Sequence, residues 1–277
     1  MEIVNEQEQE QEQDQEYGEE EEEEQERNGA DNNPIDDSAG KEQMLHHHVR
    51  SIDSTIKIRQ LRSEGLSFQL WPAATTLVNL IDNHRSDPTK SPLSKILTNS
   101  RRLRILELGA GTGFVGIAAG AILSADVTLT DLPHVLENLR FNAALNSDLV
   151  EKFGGKVEVA ALRWGEVEDM EAIRRRGEYD VIVGSDVVYH KHLYEPLMET
   201  LRFLMVGKGT KREESESESV FVMGHLKRWK KEAGFFKRAK KAFEIEVVYQ
   251  DEARDGGRVG VLVYRFSPKS SKFQPPF

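Results

Sequence analysis

The sequence predicts a doubly wound α/β fold, in which helices cover both faces of a mostly parallel sheet. The first observation is the stretch 103–132, which reads as strand, glycine-rich loop, helix and strand, and closes on the acidic residue Asp131. The second is that three more apolar runs alternate with helical patterns, which makes five parallel strands in all. The third is a pair of alternating segments, 243–249 and 259–266, around an Asp-Gly-Gly sequence that favours a terminal antiparallel hairpin.

The segment before this sheet is predicted to form a strand and a helix. Residues 52–61 alternate apolar and polar side chains, as a half-exposed strand does, and residues 66–71 are expected to form its partner strand. A helix then begins at Trp71-Pro72, where the missing N–H of proline costs nothing, and continues to His84. A second, short helix is expected at 93–97.

The core elements follow in chain order. Strand 103–108 is an apolar run suited to a buried parallel strand, and the small and apolar residues of 114–123 suit a helix packed on the sheet. The remaining expected elements are strand 126–130, a helix ending near 146, strand 156–160, an exposed helix at 166–176, strand 179–185, helix 194–206, a mobile charged loop at 207–219, strand 220–224 and a basic helix at 227–242.

The negative charge of the chain is concentrated at its N-terminus. The first 27 residues carry 14 acidic side chains and one arginine, whereas the whole chain carries a net charge of −11. Such a tract repels itself and has little apolar surface to bury, so residues 1–50 are expected to be a disordered, solubilising tail and linker. Adjacent His46, His47 and His48 cannot all face one metal from a regular element, and we assign them to this linker without a metal site. One folded domain is expected at 51–266, followed by a loose tail at 267–277.

Composition also indicates the compartment and the partners. The chain has no cysteine and hence no disulfide framework. It has no apolar run long enough to cross a bilayer, and its first residues lack the apolar core of a secretory signal. We therefore expect a cytoplasmic protein that also enters the nucleus, with no membrane contact. Periodicity shows no exposed apolar stripe, which predicts a monomer.

The glycines after the first core strand indicate a nucleotide-type binding site, and two interpretations fit them. Gly111, Gly113 and Gly116 spell GxGxxG, and Asp131 lies twenty residues beyond Gly111, as in NAD-binding proteins. When the residues before Gly111 are included, however, the stretch is Glu107-Leu-Gly-Ala-Gly-Thr-Gly, which begins with an acid. An acid at the end of the strand is less suited to a pyrophosphate than to a ligand with a cationic end. Asp131 would bind ribose hydroxyls in either case.

Glu107-Leu-Gly-Ala-Gly-Thr-Gly resembles motif I of S-adenosylmethionine-dependent methyltransferases with a seven-stranded sheet. Asp186-Val-Val-Tyr189 after the fourth core strand, Thr-Asp-Leu-Pro at Asp131 and the downstream sequence YEPLMETL make the resemblance more specific. Together they resemble the methyltransferase-like 21 group of protein lysine methyltransferases over about residues 52–266. The resemblance implies a Rossmann-like seven-stranded methyltransferase sheet, S-adenosylmethionine as cofactor and a lysine of a protein as acceptor.

The resemblance also implies a role for each matching residue. Glu107 and Asp131 would contact the cationic end and the ribose of the cofactor, and Trp71 and Trp164 would form walls beside it. The full set implied for cofactor binding is Trp71, Glu107, Gly109, Ala110, Gly111, Asp131, Trp164 and Ser185. Relatives often have alanine in place of Ser185, so the resemblance supports no side-chain role for this serine. For Asp131, an N-cap of the following helix is the structural alternative to ribose binding.

Asp186 and Tyr189 are the candidate catalytic residues. A lysine amine has a pKa of about 10.4, so it must lose a proton before it attacks a methyl group. Asp186 would hold the incoming ammonium and orient it, and Tyr189 would close the wall of the pocket. The structural alternative for Asp186 is a cap of the next helix. His190 and His192 are further possible proton acceptors, although their spacing does not single them out.

Three other functions stay open from the sequence alone. They are a methyltransferase for a small molecule or another protein atom, an NAD(P)-binding oxidoreductase, and a binding module that has kept the fold without catalysis. Nucleic acid is not expected as a substrate, because Asp-Val-Val-Tyr differs from the Asn-Pro-Pro-Tyr of base-methylating enzymes and the acidic tail repels phosphates. The basic helix at 227–242 is interpreted as an amphipathic helix with a solvated face.

Overall fold

A computed structural model describes residues 42–97, 101–205, 219–227, 232–251 and 260–269. The predicted acidic tail before residue 42, most of the serine-rich loop at 207–218 and the tail from residue 270 lie outside the described residues. The same holds for residues 228–231 and for the tip of the predicted terminal hairpin. Within the described part of the chain, no helix is long and apolar enough to cross a membrane.

The central sheet has seven strands in the order β5-β4-β3-β6-β7-β9-β8. Its strands are β3 (Arg104–Leu108), β4 (Asp126–Asp131), β5 (Lys156–Ala161), β6 (Val181–Ser185), β7 (Val220–His225), β8 (Phe243–Gln250) and β9 (Leu262–Pro268). The first five run parallel, and β9 pairs antiparallel with both β7 and β8. The predicted Rossmann-like sheet with a C-terminal antiparallel hairpin is therefore confirmed.

Helices cover both faces of the sheet, and alternate strand residues face alternate layers. The helices are α1 (Pro72–Ser86), α2 (Phe114–Leu123), α3 (Leu136–Leu145), α4 (Ser147–Lys152), α5 (Val167–Arg174), α6 (Tyr194–Met205) and α7 (Ala233–Ala242). Ile105 and Val183 belong to the apolar core under α1 to α4, whereas Leu106 and Ile182 belong to the core under α5 to α7. On α7, Phe235 and Ala239 are buried and the lysines are exposed, which agrees with the predicted amphipathic helix.

The N-terminal part of the domain differs from its prediction. Strand β2 (Ser54–Gln60) forms as expected, but its partner is β1 (Gln43–Val49), so the prediction of a linker through residue 50 is wrong for these residues. The polar composition of β1 misled the prediction, because its pairing rests on backbone hydrogen bonds and composition does not record them. His47 in this strand packs edge-on against Phe114, with the ring centroids 5.0 Å apart.

Two other local predictions were also wrong, and one helix was missed. Residues 66–71 form a short 3₁₀ turn and a loop, since the edge of β2 that they were expected to pair with is taken by β1. Residues 93–97 form turns, because five residues give too few hydrogen bonds to offset the nucleation of a helix. The unpredicted helix is α4, which continues the chain directly after α3.

Candidate active site at the carboxyl ends of the parallel strands

One cavity of about 450 Å³ opens at the carboxyl ends of β3, β4 and β6. This is the edge of a doubly wound sheet at which the strand order reverses and ligands bind. All ten residues predicted for the site line this cavity: Trp71, Glu107, Gly109, Ala110, Gly111, Asp131, Trp164, Ser185, Asp186 and Tyr189. The structure thus brings together residues that are separated by more than a hundred positions in the sequence.

Two glycines of the loop after β3 lie in close contact with other residues that line the cavity. Gly111 has φ +53°, and a Cβ atom there would lie 2.9 Å from the backbone oxygen of Ser67. Gly109 has φ +58°, and a Cβ atom would lie 3.1 Å from Cζ2 of Trp164. Both positions therefore need glycine. Residues with a side chain rarely adopt a positive φ, and the space that a Cβ atom would need is already filled.

The carboxylate of Asp131 fixes the glycine loop to β4. Its Oδ2 accepts a hydrogen bond from the backbone N–H of Gly111, and its Oδ1 accepts one from Leu132, each at 2.7 Å. The helical turn that follows has no side-chain cap, so the alternative of an N-cap is not what the structure shows. Burial raises the pKa of Asp131, although the two backbone N–H groups act in the opposite direction.

Glu107 lies deeper in the same cavity and is 1% exposed. Its Oε2 accepts a hydrogen bond from the N–H of Gly116 at 2.8 Å, in the first turn of α2. Within the described residues, its Oε1 has no hydrogen-bond partner. Burial raises the pKa of Glu107 to about 8, and the negative charge of Asp131 acts in the same direction. The free protein thus holds a buried acid that a nearby cation would stabilise in its ionised form.

These groups fit S-adenosylmethionine better than a dinucleotide. An unpartnered carboxyl oxygen, with a second carboxylate beside it, attracts a cationic amino acid end and accepts hydrogen bonds from ribose hydroxyls. A pyrophosphate would meet two acids, and Glu107 already occupies the N–H group at the N-terminus of α2 where such an anion binds. The acidic wall therefore disfavours the dinucleotide interpretation.

The roof of the cavity comes from the segment between β2 and α1, of which the sequence analysis assigned only Trp71 to the site. Leu66, Ser67 and Leu70 line the cavity, and the indole N–H of Trp71 donates to the backbone oxygen of Leu66 at 3.0 Å. Trp164, which follows β5, is half-buried on the lining near Gly109. The prediction of a partner strand at 66–71 concealed this role, because an extended strand would not fold back over the glycine loop.

Asn142 of α3 holds the β1–β2 hairpin beside this roof. Its amide accepts from the N–H of Arg59 at 2.8 Å and donates to the backbone oxygens of Arg59 and Thr112 at 3.1 and 3.0 Å. Asn146, one helical turn later, makes the same pair of bonds to Lys57. Two helix side chains thus satisfy the open edge of β2 and connect it to the glycine loop.

Asp186 follows β6 directly and is held by the end of β7. It is 8% exposed and has φ +54°, a strained conformation for a residue other than glycine. Its N–H donates to the backbone oxygen of Gly224, and its Oδ1 accepts from the N–H of Leu226, both at 2.9 Å. The carboxylate is therefore fixed to the loop after β7, and the residue at the N-cap position of the next helical turn is His190, not Asp186.

Aromatic side chains lie beside Asp186 at the mouth of the cavity. Tyr189 is 38% exposed, and its ring lies 4.7 Å from that of His190, which stacks in turn on His192 at 5.3 Å. Burial and the charge of Asp131 raise the pKa of Tyr189, so its hydroxyl stays protonated. Both histidines line the cavity, a position that their spacing in the sequence did not reveal.

Comparisons with known proteins find the following similarities. A family model described as lysine methyltransferase matches residues 51–242. The chain is 30% identical over 224 residues to the protein N-lysine methyltransferase METTL21A of Danio rerio. The aligned region covers 79% of this chain and 88% of that protein. It is 31% identical over 202 residues to the EEF1A lysine methyltransferase 3 of Mus musculus, and the aligned region covers 73% of this chain and 72% of that protein. A crystal structure of a predicted O-methyltransferase from Agrobacterium tumefaciens superposes with a TM-score of 0.47 at 20% identity, covering 65% of this chain and 80% of that one.

Proposed function

The chain belongs to the lysine methyltransferase family, and we propose that it methylates a lysine side chain on the surface of a folded protein. The observation that carries this proposal is the position of Asp186, a buried carboxylate at the cavity that also contains Glu107, Asp131 and the glycine loop. One cavity thus offers a site for the cofactor and a negative charge for the acceptor ammonium.

The cofactor is S-adenosylmethionine, whose sulfonium supplies an activated methyl group and leaves as a neutral thioether. We assign its cationic amino acid end to Glu107, its ribose to Asp131 and its flat base to Trp164, which offers an apolar face. Gly109, Ala110 and Gly111 supply backbone that no side chain crowds, whereas Trp71 closes the cavity at its N-terminal edge. The only support for a role of Ser185 in cofactor binding is that it lines the cavity.

Asp186 orients the acceptor in this proposal. An ammonium group is attracted to the carboxylate, and after loss of one proton the neutral amine still donates a hydrogen bond to it. The nitrogen lone pair then points away from Asp186 into the cavity, which is the positioning that such a transfer needs. Tyr189 narrows the mouth and excludes water, so that a flexible lysine side chain fits and a bulky group does not.

Eukaryotic elongation factor 1A is the first substrate to test, because one relative carries that substrate in its name. We further propose that the protein acts as a monomer in the cytoplasm and the nucleus and does not use nucleic acid as a substrate. Size-exclusion chromatography with light scattering, and imaging of the tagged chain in cells, test the first two points. Added RNA or DNA that takes up labelled methyl groups would contradict the third.

The function is tested with S-adenosylmethionine labelled in its methyl group. The labelled cofactor is incubated with purified elongation factor 1A and, separately, with a cell extract, in the presence of the wild-type chain. Labelled bands are digested and the modified residue is mapped by mass spectrometry. The expected result is label on a lysine of one protein, which also names the substrate. Label on a small molecule only, despite cofactor binding measured by calorimetry, would overturn the proposal.

A further inference from the structure

A buried imidazole–carboxylate pair lies directly behind Asp186. His225 is the last residue of β7 and is 1% exposed, and its Nε2 lies 2.9 Å from Oε2 of Glu232, which is 2% exposed and immediately precedes α7. Burying an acid and an imidazole is unfavourable unless each is paired, and replacing such a pair by apolar residues is often neutral or stabilising. The packing of β7 therefore does not by itself require this pair.

The other ring nitrogen of His225 faces the active site. Its Nδ1 lies 3.8 Å from Oδ1 of Asp186 and, within the described residues, makes no hydrogen bond. The distance is set by β7 itself, because Asp186 is bonded to Gly224 and Leu226, the two neighbours of His225 in the chain. The 3.8 Å between Nδ1 and Oδ1 exceeds the upper end of ordinary N–H···O distances, about 3.2 Å, by only about 0.6 Å.

The pair also separates two cavities. Asp186 lines the active-site cavity, whereas His225 and Glu232 line a second cavity of about 350 Å³ that has no lining residue in common with the first. Lys237 and Lys240 of α7 lie at the second cavity and are exposed. The order Asp186, His225, Glu232 thus leads from the acceptor site to the second cavity.

We propose that His225 and Glu232 act as a proton relay, which takes the proton of the acceptor ammonium from Asp186 to the second cavity. This inference rests on the proposed function, in which the acceptor is an amine that must lose a proton. An N–H bond of the ammonium breaks, its electron pair stays on nitrogen, and the proton passes to Asp186. His225 accepts it at Nδ1 and releases the proton of Nε2 to Glu232, from which it reaches water. The neutral amine then forms its N–C bond while the S–C bond breaks and its electron pair stays on sulfur.

The proposed function gives a reason for such a route. In it, the acceptor lysine side chain would fill the first cavity at Tyr189 and the cofactor would fill the rest. Water has little access to the ammonium from that side. A path through the protein allows the proton to leave while both substrates stay bound, and His225 and Glu232 act through Asp186 as positioning residues.

The first arm of the test compares His225→Gln and Glu232→Gln with His84→Gln, a control in which another buried histidine, which lines neither cavity, is replaced. The two relay variants are expected to lower kcat about tenfold near pH 7, with KM and cofactor affinity within about twofold of wild type. The loss should shrink as the pH rises towards 10, because a growing fraction of a lysine amine, whose pKa is about 10.4, is then neutral in water. The groups that face His225 and shape this profile are Asp186, Lys227, Glu232, Lys237, Lys240 and Tyr264.

The second arm needs no substrate and therefore separates the failure of this inference from failure of the proposed function. Imidazole ¹⁵N signals of the full chain are followed by NMR from pH 5 to 9, with His225→Gln to assign the signal. The ring ¹⁵N signals of His225 should change in Asp186→Asn and again in Glu232→Gln, because each change replaces a carboxylate beside the ring by a neutral amide.

Two results would overturn the relay. One is a loss of kcat that is equal at every pH and accompanied by a lower melting temperature, which is what a purely structural role produces. The other is a set of His225 ring ¹⁵N signals that is unchanged in Asp186→Asn, since the two groups would then not be coupled. If the wild-type chain transfers no methyl group to lysine, the proposed function fails, while the NMR titration still decides whether the three groups are coupled.

Discussion

The two halves of the active-site cavity are built in different ways. The acidic wall of the cofactor half, with Glu107, Gly111 and Asp131, comes from a single strand–loop–helix–strand unit, in which the two carboxylates and the N–H groups that they bind lie at most twenty residues apart. The acceptor half depends on Asp186, whose carboxylate is bound by Leu226, forty residues further along the chain. Local sequence therefore determines the first half, whereas the pairing of β6 with β7 determines the second. A change in the cofactor half should therefore weaken cofactor binding, whereas a change in the acceptor half should slow methyl transfer without weakening cofactor binding.

The largest separation is expected for Asp186→Asn. The amide keeps the size of the side chain but removes the charge that attracts the acceptor, so methyl transfer should fall by roughly 10²-fold or more. Cofactor affinity measured by calorimetry should stay within about threefold of wild type. Asp53→Asn is the matched control, because Asp53 is another aspartate with positive φ and its side chain is 97% exposed. A large loss of cofactor affinity in Asp186→Asn would contradict the division.

The roof of the cofactor half is tested by Asn142→Ala. This change removes three hydrogen bonds from a fully buried amide and leaves the backbone of Arg59 without partners, so the free energy of unfolding should fall by about 2 kcal/mol. Chemical denaturation measures it. In Asn83→Ala, which removes one exposed bond to Arg50, the loss should stay below about 0.5 kcal/mol. Equal effects in the two variants would mean that the hairpin is not anchored by Asn142.

Gly111→Ala is expected to affect the cofactor half alone. The new Cβ atom would lie 2.9 Å from the backbone oxygen of Ser67, which moves the loop and should weaken cofactor binding about tenfold, or about 1.4 kcal/mol. In Gly154→Ala the backbone also has positive φ, at +80°, but the nearest atom is 4.0 Å away. This control shares the backbone strain without the clash, so it should lose stability but keep its cofactor affinity. Calorimetric titrations of both variants make the comparison.

The last of these predictions concerns the proton of Glu107. With the pKa of Glu107 raised from 4.5 to about 8, the folded free protein keeps a proton that the unfolded chain loses, so this group lowers the free energy of unfolding as the pH rises between those values. Glu107→Gln should therefore gain stability relative to wild type over the same range. A cationic cofactor favours the ionised acid, so binding near pH 7 should release a fraction of one proton in wild type and none in Glu107→Gln. Calorimetry in two buffers of different ionisation enthalpy measures this proton release. Equal proton release in wild type and in Glu107→Gln would contradict the assignment of Glu107 to the cationic end of the cofactor.

The same comparison explains how much of the molecule the sequence could predict. The seven-stranded sheet and the cofactor loop followed from apolar runs and from glycines whose partners lie nearby, such as Gly111 and Asp131. Asp186 and Tyr189 could be named through a resemblance, but the anchoring of Asp186 by the end of β7 depends on strand pairing that no local pattern records. The roof was missed for a similar reason, because strand β1 has a polar composition and pairs through its backbone.

The most direct test of the divided cavity is single-turnover methyl transfer at increasing concentrations of labelled S-adenosylmethionine. Gly111→Ala should regain nearly the wild-type rate once the cofactor saturates its weakened site, because its acceptor half is intact. Asp186→Asn should remain at least about 10²-fold slower at saturation, because its cofactor half was never impaired. Recovery of Asp186→Asn at saturating cofactor, or a persistent loss in Gly111→Ala, would contradict the division between the two halves.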